Sequence, residues 1–225
     1  MALSVGLGIL TFNIFETGRE TDFQATWQST EREWCGHNRK RVLLTNGSTD
    51  GTQDLVRDLG GIVDDTNDHI YYGNNRLVEE LSDCDIVVLS ADDLLYHPNW
   101  LHRLVRFMEA APERIALCSA YVEPLWEWNP VTRVAIYGGE RALVRQSVCG
   151  SSWAFRSKDW GKVLGPLPDL QGAAGEDLEV CQQLRSEGRE MAALDLSEHV
   201  GQERSAWGNE SHLTARPLDT GQWGL

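Results

Sequence analysis

Short apolar runs alternate with helix-like segments along the first half of the chain. The runs contain many β-branched residues and end at polar residues, which is typical of buried strands. These predicted strands are Val5–Phe12, Arg41–Thr45, Ile62–Val63, Asp85–Leu89 and Ile115–Tyr121. The predicted helices between them are Thr21–Thr30, about Gly51–Leu59, Asn75–Leu81 and a segment opened by Pro98. This alternation predicts an α/β fold with an open, mostly parallel, Rossmann-like sheet flanked by helices.

Polar residues follow three of these strands. Asn13 comes after the first strand, Asn46 and Ser48 come after the second, and Asp92 and Asp93 come after the fourth. In open parallel sheets, ligands bind beyond the carboxyl ends of the strands. The pattern therefore predicts one binding site that is built from these three loops.

The second half of the chain predicts a small mixed β region. Trp126 and Trp128 are two positions apart, so they share one face if that segment is extended. Further predicted elements are a turn at Asn129-Pro130, strands at Val131–Tyr137, Gly150–Phe155 and Met191–Leu194, and a helix at Glu176–Ser186. No internal repeat or interdomain linker is evident, which predicts a single domain.

The chain is acidic, and this narrows the classes of partner. Its 225 residues include 34 Asp and Glu against 20 Lys and Arg, which gives a formal net charge of −14. A general nucleic-acid binder gains affinity by neutralising phosphates, and an anionic membrane is bound through a basic face. The charge balance argues against both classes.

The amino-terminal stretch and the cysteines predict a cytoplasmic location. The apolar stretch from Leu3 to Phe15 is interrupted by Thr11 and Asn13, lacks a cationic leader and is too short to cross a bilayer. We therefore expect no membrane span and no signal peptide. The five cysteines include no C-x-x-C pair, which is typical of reduced thiols.

Four polar segments occur in an order that carries a family resemblance. They are Thr11-Phe12-Asn13, the segment NGSTDGT at 46–52, Ser90-Ala91-Asp92-Asp93, and Gly175-Glu176-Asp177 followed by His199. In this order they resemble the motifs of the family-2 glycosyltransferases of the GT-A fold. The resemblance extends from Val5 to His199, and NGSTDGT is its most specific part.

The resemblance implies an inverting glycosyltransferase that moves a sugar from a nucleotide-sugar donor to a hydroxyl acceptor. A divalent cation, Mn²⁺ or Mg²⁺, would bridge the oxygens of the donor diphosphate. Asp92 is the implied metal ligand, Asp93 beside it is a second candidate, and His199 matches a later metal-contacting histidine. Asp177 is the implied general base, and Glu176 would orient the acceptor.

The resemblance also implies a division of the chain and a set of donor contacts. One domain of residues 1–225 would contain a nucleotide-binding half (1–118), an acceptor and catalytic half (119–200) and a tail or closing segment (201–225). The implied donor-binding positions are Thr11, Asn13, Glu16, Thr45, Asn46, Ser48, Asp50, Asn75, Arg76, Ser90, Ala91 and Asp92.

Two donor-binding positions depart from the family pattern. Thr45 and Ser90 stand where the family usually has Asp. The first departure leaves the nucleotide base open, with a UDP-sugar as the first candidate donor. The second weakens the case for a strict metal requirement.

The acceptor is the least constrained part of this interpretation. Trp126, Trp128 and Trp153 offer flat apolar rings that can stack on a sugar or a base. Candidate acceptors are a glycan, a lipid-linked sugar, a protein or modified DNA, since small bacteriophage enzymes resembling this family glycosylate modified bases. Three of the 20 cations are Lys, so 17 are Arg, which suits phosphate contacts, whereas the net charge of −14 argues against DNA.

Two other functions remain open from the sequence. A nucleotidyltransferase can use the same sheet and metal, but it usually carries a glycine-rich loop after the first strand, and here that loop begins Thr11-Phe12-Asn13. The other is a non-catalytic nucleotide-sugar-binding module, which the retention of Asp92 and Asp177 disfavours.

Overall fold

The computed structural model describes residues 3–31, 38–66, 69–122, 129–160 and 176–200. Within these ranges, the side chains of Asn38, His69, Glu176 and Asp177 lie outside the description. The elements follow the chain order β1 α1 β2 α2 β3 α3 β4 β5 α4 β6 β7 β8 β9 α5 α6 β10. Strand and helix thus alternate in the first half, as the apolar pattern predicts.

The strands and helices have the following bounds. The strands are β1 (Ser4–Thr11), β2 (Asn38–Asn46), β3 (Ile62–Asp64), β4 (Ile86–Ser90), β5 (Leu94–Tyr96), β6 (Ile115–Tyr121), β7 (Val131–Tyr137), β8 (Glu140–Arg145), β9 (Ser152–Arg156) and β10 (Glu190–His199). The helices are α1 (Glu20–Glu31), α2 (Thr52–Asp58), α3 (His69–Glu80), α4 (Trp100–Ala110), the single turn α5 (Ser157–Asp159) and α6 (Glu176–Ser186).

All the strands in the described ranges belong to one sheet, in the order β3-β2-β1-β4-β9-β6-β10-β8-β7, and β5 pairs with β10. Strands β3, β2, β1 and β4 are mutually parallel. Strand β9 runs antiparallel between β4 and β6, β10 is parallel to β6, and the β8–β7 hairpin closes this end. The parallel half and the mixed half therefore follow the predicted division of the sheet.

Helices cover both faces of the sheet because strand side chains alternate between two cores. On β1, Val5, Leu7 and Ile9 enter a cluster that also holds residues of α1, α2 and α4. The opposite face of the sheet contributes to a second cluster, which includes Leu77 of α3 and Leu184 of α6. Burial on both faces explains why the β4 sequence is a continuous apolar run, since every residue of this strand is buried.

Two differences from the predicted elements affect the site. Strand β5 has only three residues and was absent from the prediction, because so short a run gives no periodicity to detect. Strand β10 extends to His199, whereas the prediction ended at Leu194. The added strand and the extension pair with each other, with His199 opposite Leu94.

The described residues show two further features that bear on the predictions. Their cysteines, Cys84, Cys118, Cys149 and Cys181, form no disulfide bond with one another, and Cys35 lies outside the described residues. Among the helices described, none combines the length and the apolar character that a membrane crossing requires.

The β7–β8 turn contacts α4 so closely that glycine is required. Gly138 has a φ of +57°, and a Cβ there would lie 2.3 Å from the backbone oxygen of Arg106. Gly188 also has a positive φ, +71°, but no described atom lies within 4 Å of a Cβ built on it. Substituting each glycine by alanine therefore distinguishes the cost of a positive φ, which applies at both positions, from the cost of a backbone clash, which applies only at Gly138.

We predict that Gly138→Ala lowers the free energy of unfolding by about 3 kcal/mol and Gly188→Ala by about 1 kcal/mol. The left-handed conformation costs alanine on the order of 1 kcal/mol at either position, and the clash adds to it only at Gly138. Urea denaturation of the two variants and the parent protein measures both values. Equal losses would show that the turn does not pack tightly on α4.

Candidate active site

The parallel strands β2, β1 and β4 bring three loops to one edge of the sheet. Thr11 pairs with Thr45 on one side of β1, and Ile9 pairs with Ser90 on the other. We call the loops that follow these strands, residues 12–19, 47–51 and 91–93, the carboxyl edge. Most of the residues that the sequence assigns to donor and metal binding lie on it or in the strand ends beneath it.

Asn13 links the first loop of the carboxyl edge to the second. Its backbone N–H donates to Ser48 Oγ (3.0 Å), and its Oδ1 accepts the backbone N–H of Thr49 (2.9 Å). Its Nδ2 donates to Glu16 Oε2 (2.8 Å). The residue has a φ of +44°, a left-handed conformation that Asn tolerates better than most residues.

Asp50 makes a second link between the same two loops. Its Oδ2 accepts the backbone N–H of Glu16 (2.6 Å), and its Oδ1 accepts the hydroxyl of Thr52 (2.6 Å) and the Thr52 backbone N–H (3.1 Å). Partial burial alone would raise the pKa of Asp50, but these hydrogen bonds outweigh it and lower the pKa below its usual value of 3.8. Asp50 is therefore held as a carboxylate that fixes the shape of the loops.

Thr45 and Ser48 form a buried hydroxyl pair beneath these loops. Thr45 Oγ1 lies 2.5 Å from Ser48 Oγ, and the same Ser48 oxygen accepts the N–H of Asn13. The hydroxyl of Thr45 thus has a partner inside the protein. Neighbouring Asn46 is also buried at this strand end.

Asp92 is held on both of its oxygens. Oδ2 accepts the hydroxyl of Thr11 at 2.5 Å, and Oδ1 accepts Nη1 of Arg19 in an ion pair. The residue is 4% exposed. Burial raises the pKa of Asp92, while the charge of Arg19 and the hydrogen bond from Thr11 act in the opposite direction.

Arg19 is the site residue that the sequence prediction missed. Besides its ion pair with Asp92, its Nη2 donates to the backbone oxygen of Phe12 (2.6 Å) and its Nε to Thr17 Oγ1 (2.9 Å). The only sequence signal was a cation in the polar loop between β1 and α1. A surface arginine gives the same signal, so the pairing with a carboxylate 73 positions away could not be read from it.

Asp93 and His199 meet at the adjacent end of β10. His199 Nδ1 lies 3.3 Å from Asp93 Oδ2, and the backbone N–H of Val200 donates to the Asp93 carbonyl (2.8 Å). The ring of Tyr121 packs edge-on against the imidazole at 4.6 Å. Asp93 Oδ1 is buried and has no hydrogen-bond partner within the described part of the chain.

The comparisons with known proteins decide the family. The model of the family described as "Glycosyl transferase family 2" matches residues 17–151, which is more than half of the chain. The chain belongs to glycosyl transferase family 2. The matched range includes NGSTDGT and the Asp92-Asp93 pair but ends before Asp177 and His199.

The fold of this family-2 chain is similar to that of a solved structure. That structure is titled "Crystal structure of GalNAc-T7 with UDP, GalNAc and Mn2+", with a TM-score of 0.61 and 12% sequence identity. The similarity covers 89% of this chain and 45% of the other, so this chain spans less than half the length of that protein. At this identity the likeness shows the fold, which is the predicted GT-A fold. A search of curated proteins found no match.

Three further donor positions of this family-2 chain are Ser90, at the end of β4, and Asn75 and Arg76, on α3. Ser90 accepts the hydroxyl of Tyr96 (2.9 Å) and donates to the carbonyl oxygen of Ala91 (2.8 Å), so its side chain is satisfied within the fold. Arg76 forms ion pairs with Glu79 (3.3 Å) and Glu80 (2.9 Å) of its own helix α3. Asn75, beside it on α3, is half-buried.

Trp153 does not have the position that acceptor stacking requires. It lies on β9 between Leu89 and Ser119, belongs to the second core cluster and is 2% exposed. Because both faces of this central strand are covered, the ring packs in the core and offers no face to an acceptor. Its prediction as an acceptor contact was therefore wrong.

Four of the predicted catalytic or acceptor side chains lie outside the description. Trp126 and Trp128 fall in 123–128, between the described ranges. The backbone of Glu176 and Asp177 forms the first turn of α6, and their side chains are not described. The roles of these four residues remain predictions.

Among the described residues, no group of three or more His, Cys, Asp or Glu side chains converges as a metal site would. The Asp93–His199 pair is the nearest arrangement to such a site at the carboxyl edge. A cation here would need further ligands from a bound ligand or from water.

We predict that Asn13→Ala lowers the free energy of unfolding by about 2–3 kcal/mol. The change removes two side-chain hydrogen bonds and places alanine in a left-handed conformation. Hydrogen exchange should also show faster exchange of the Thr49 amide, which loses its acceptor. Asn13→Gly is the matched control, because it loses the same bonds without the backbone strain and should be about 1 kcal/mol more stable than Asn13→Ala. A Thr49 amide that remains equally protected in both variants would contradict the assigned link.

Proposed function

We propose that the protein is an inverting glycosyltransferase that uses a nucleotide-sugar donor and a divalent metal. The observation that carries the proposal is the carboxyl edge, where Asn13 and Asp50 tie the first two loops together and Asp93 stands beside His199. Such an edge presents polar groups at the carboxyl ends of parallel strands, where nucleotides bind in α/β folds. Membership of glycosyl transferase family 2 supports the same function.

The residues at the edge fit a divalent cation. The buried Asp93 Oδ1 has no partner among the described residues, and its other oxygen lies 3.3 Å from His199. A carboxylate oxygen and an imidazole nitrogen together suit Mn²⁺ somewhat better than Mg²⁺. Asp93 and His199 would hold the ion, with Asp92 as the third candidate ligand from the sequence. When bound, the ion would stabilise the negative charge of the departing nucleoside diphosphate.

The donor we propose is a UDP-sugar. The solved structure with the similar fold contains UDP and Mn²⁺, which supports this choice. Loops 12–19 and 47–51 would receive the nucleoside, since their backbone is already fixed by Asn13 and Asp50. Preorganisation of this kind reduces the entropy lost when a ligand binds.

Asp177 is the general base that we propose, with Glu176 orienting the acceptor. Asp177 would take the proton of the acceptor hydroxyl as its oxygen bonds to the anomeric carbon. The bond between that carbon and the diphosphate oxygen breaks at the same time, on the opposite face. Attack from the face opposite to the leaving group inverts the anomeric centre.

The candidate acceptors are a glycan, a lipid-linked sugar, a protein and a hydroxylated or hydroxymethylated base in DNA. One observation bears on the last of these. Five arginines lie on α4, on β7 and β8, or near them: Arg103, Arg106, Arg114, Arg133 and Arg141. Glu140 is shared by the first two of these, and Glu190 by the next two. The arginines therefore outnumber the carboxylates with which they pair, which favours a phosphate-bearing acceptor despite the net charge of −14.

The first test is a panel of nucleotide sugars with and without Mn²⁺, read by nucleotide release. We expect one donor to release its nucleotide, and EDTA to slow the release at least tenfold because the leaving group loses its counter-charge. The variant Asp85→Asn should respond to Mn²⁺ and EDTA as the parent protein does, because Asp85 bonds to Ser4 at the opposite end of β1 and β4. Pyrophosphate release would indicate a nucleotidyltransferase instead, and donor binding without any release would indicate a binding module.

The second test is Asp177→Asn, which should retain donor affinity within about threefold and lose at least ~10² in transfer rate. Amide replacement removes the base but leaves the size of the side chain unchanged. Glu179→Gln is the matched control on α6, because Glu179 is exposed. Unchanged turnover in Asp177→Asn would exclude Asp177 as the base. The same assay with glycan, protein, lipid-linked sugar and hydroxymethylated DNA acceptors identifies the acceptor class.

A further inference from the structure

The adjacent carboxylates Asp92 and Asp93 have different surroundings. Asp92 is 4% exposed, and each of its oxygens accepts a hydrogen bond, from Thr11 and from Arg19. Asp93 has one oxygen near His199, and its other oxygen has no partner within the described ranges. Among the described residues, Asp93 therefore has a buried carboxylate oxygen without a hydrogen-bond partner, whereas Asp92 has none.

Arg19 is locked in its place beside Asp92. Its Nη1, Nη2 and Nε each donate a hydrogen bond, to Asp92, to the Phe12 carbonyl and to Thr17 Oγ1. Its side chain is 26% exposed, so the ion pair is partly shielded from water. Charge-assisted hydrogen bonds in such surroundings are stronger than neutral ones, and removing one partner leaves a buried charge.

The ion pair between Arg19 and Asp92 disfavours the binding of a metal ion at Asp92. A metal ion there would share a carboxylate oxygen with the hydrogen bond from Thr11 or Arg19, and it would be repelled by the neighbouring guanidinium charge. Asp93 has neither obstacle, because its Oδ1 has no partner among the described residues and His199 lies beside its other oxygen, Oδ2. Backbone pairing of β5 with β10 holds these two residues together, since Leu94 lies opposite His199.

We propose that Arg19 is a positioning residue that neutralises Asp92 and thereby assigns the divalent cation to Asp93 and His199. Asp92 then acts as a tie between the β1–α1 loop and the end of β4, and does not contact the metal. The inference rests on the proposed metal-dependent function. The family motif implies Asp92 as the metal ligand, whereas the ligand proposed here is the next residue, Asp93.

The test is the affinity for Mn²⁺ in the presence of UDP, measured by the electron paramagnetic resonance signal of free Mn²⁺. Asp93→Asn and His199→Ala should each weaken Mn²⁺ binding at least tenfold, whereas Asp92→Asn should change it less than threefold. Asp85→Asn, which removes a carboxylate bonded to Ser4 at the far end of β4, is the control for net charge and should bind Mn²⁺ as the parent protein does.

The role of Arg19 is tested in the Asp93→Asn background. Adding Arg19→Gln releases the Asp92 carboxylate, so the double variant should recover at least threefold of the lost Mn²⁺ affinity. Adding Arg19→Lys keeps a cation beside Asp92 and should recover none. If the role of Arg19 is purely structural, neither Arg19→Gln nor Arg19→Lys should recover Mn²⁺ affinity. Thermal unfolding of each variant confirms that the measured protein is folded.

Two results distinguish failure of this inference from failure of the proposed function. If Asp92→Asn loses Mn²⁺ as strongly as Asp93→Asn, Asp92 is a ligand and the inference is wrong, while the metal-dependent function stands. If the parent protein binds no Mn²⁺ in the presence of UDP, the proposed metal dependence itself is wrong.

Discussion

The parallel pairing of β1 with β2 on one side and β4 on the other is the constraint on which the site depends. It places Thr11, Thr45 and Ser90 at one edge of the sheet, so that three loops distant in sequence become neighbours. Hydrogen bonds through Asn13 and Asp50 then hold the first two loops in one arrangement. Without that shared edge, the polar residues after each strand would be separate turns with no common ligand.

A second pairing, of β5 with β10, completes the edge. Three residues of β5 bring the chain after Asp93 alongside the end of β10, and His199 is thereby placed 3.3 Å from the Asp93 carboxylate. Two neighbouring acidic residues thus differ in role. Asp92 is bonded to the loop after β1, and Asp93 faces the histidine from the other half of the fold.

The prediction from sequence succeeded where a pattern was long or strongly periodic. Helix α6 and strand β7 have the bounds that the sequence predicted, because their apolar spacing and flanking residues agree with each other. It failed for β5, which is too short to show a period, and for Trp153, whose strand is covered on both faces. Arg19 could not be found either, since nothing near it in sequence indicates that Asp92 is its partner.

The sequence by itself determined the α/β class, the order of the motifs and the family, because strand and helix signals and motif spacing are local properties of the chain. Tertiary structure alone decided which of those residues meet. It paired Arg19 with Asp92 and Asp93 with His199, and it buried Trp153 in the core. Contacts between residues this far apart in the chain follow from strand order and register, which local sequence does not encode.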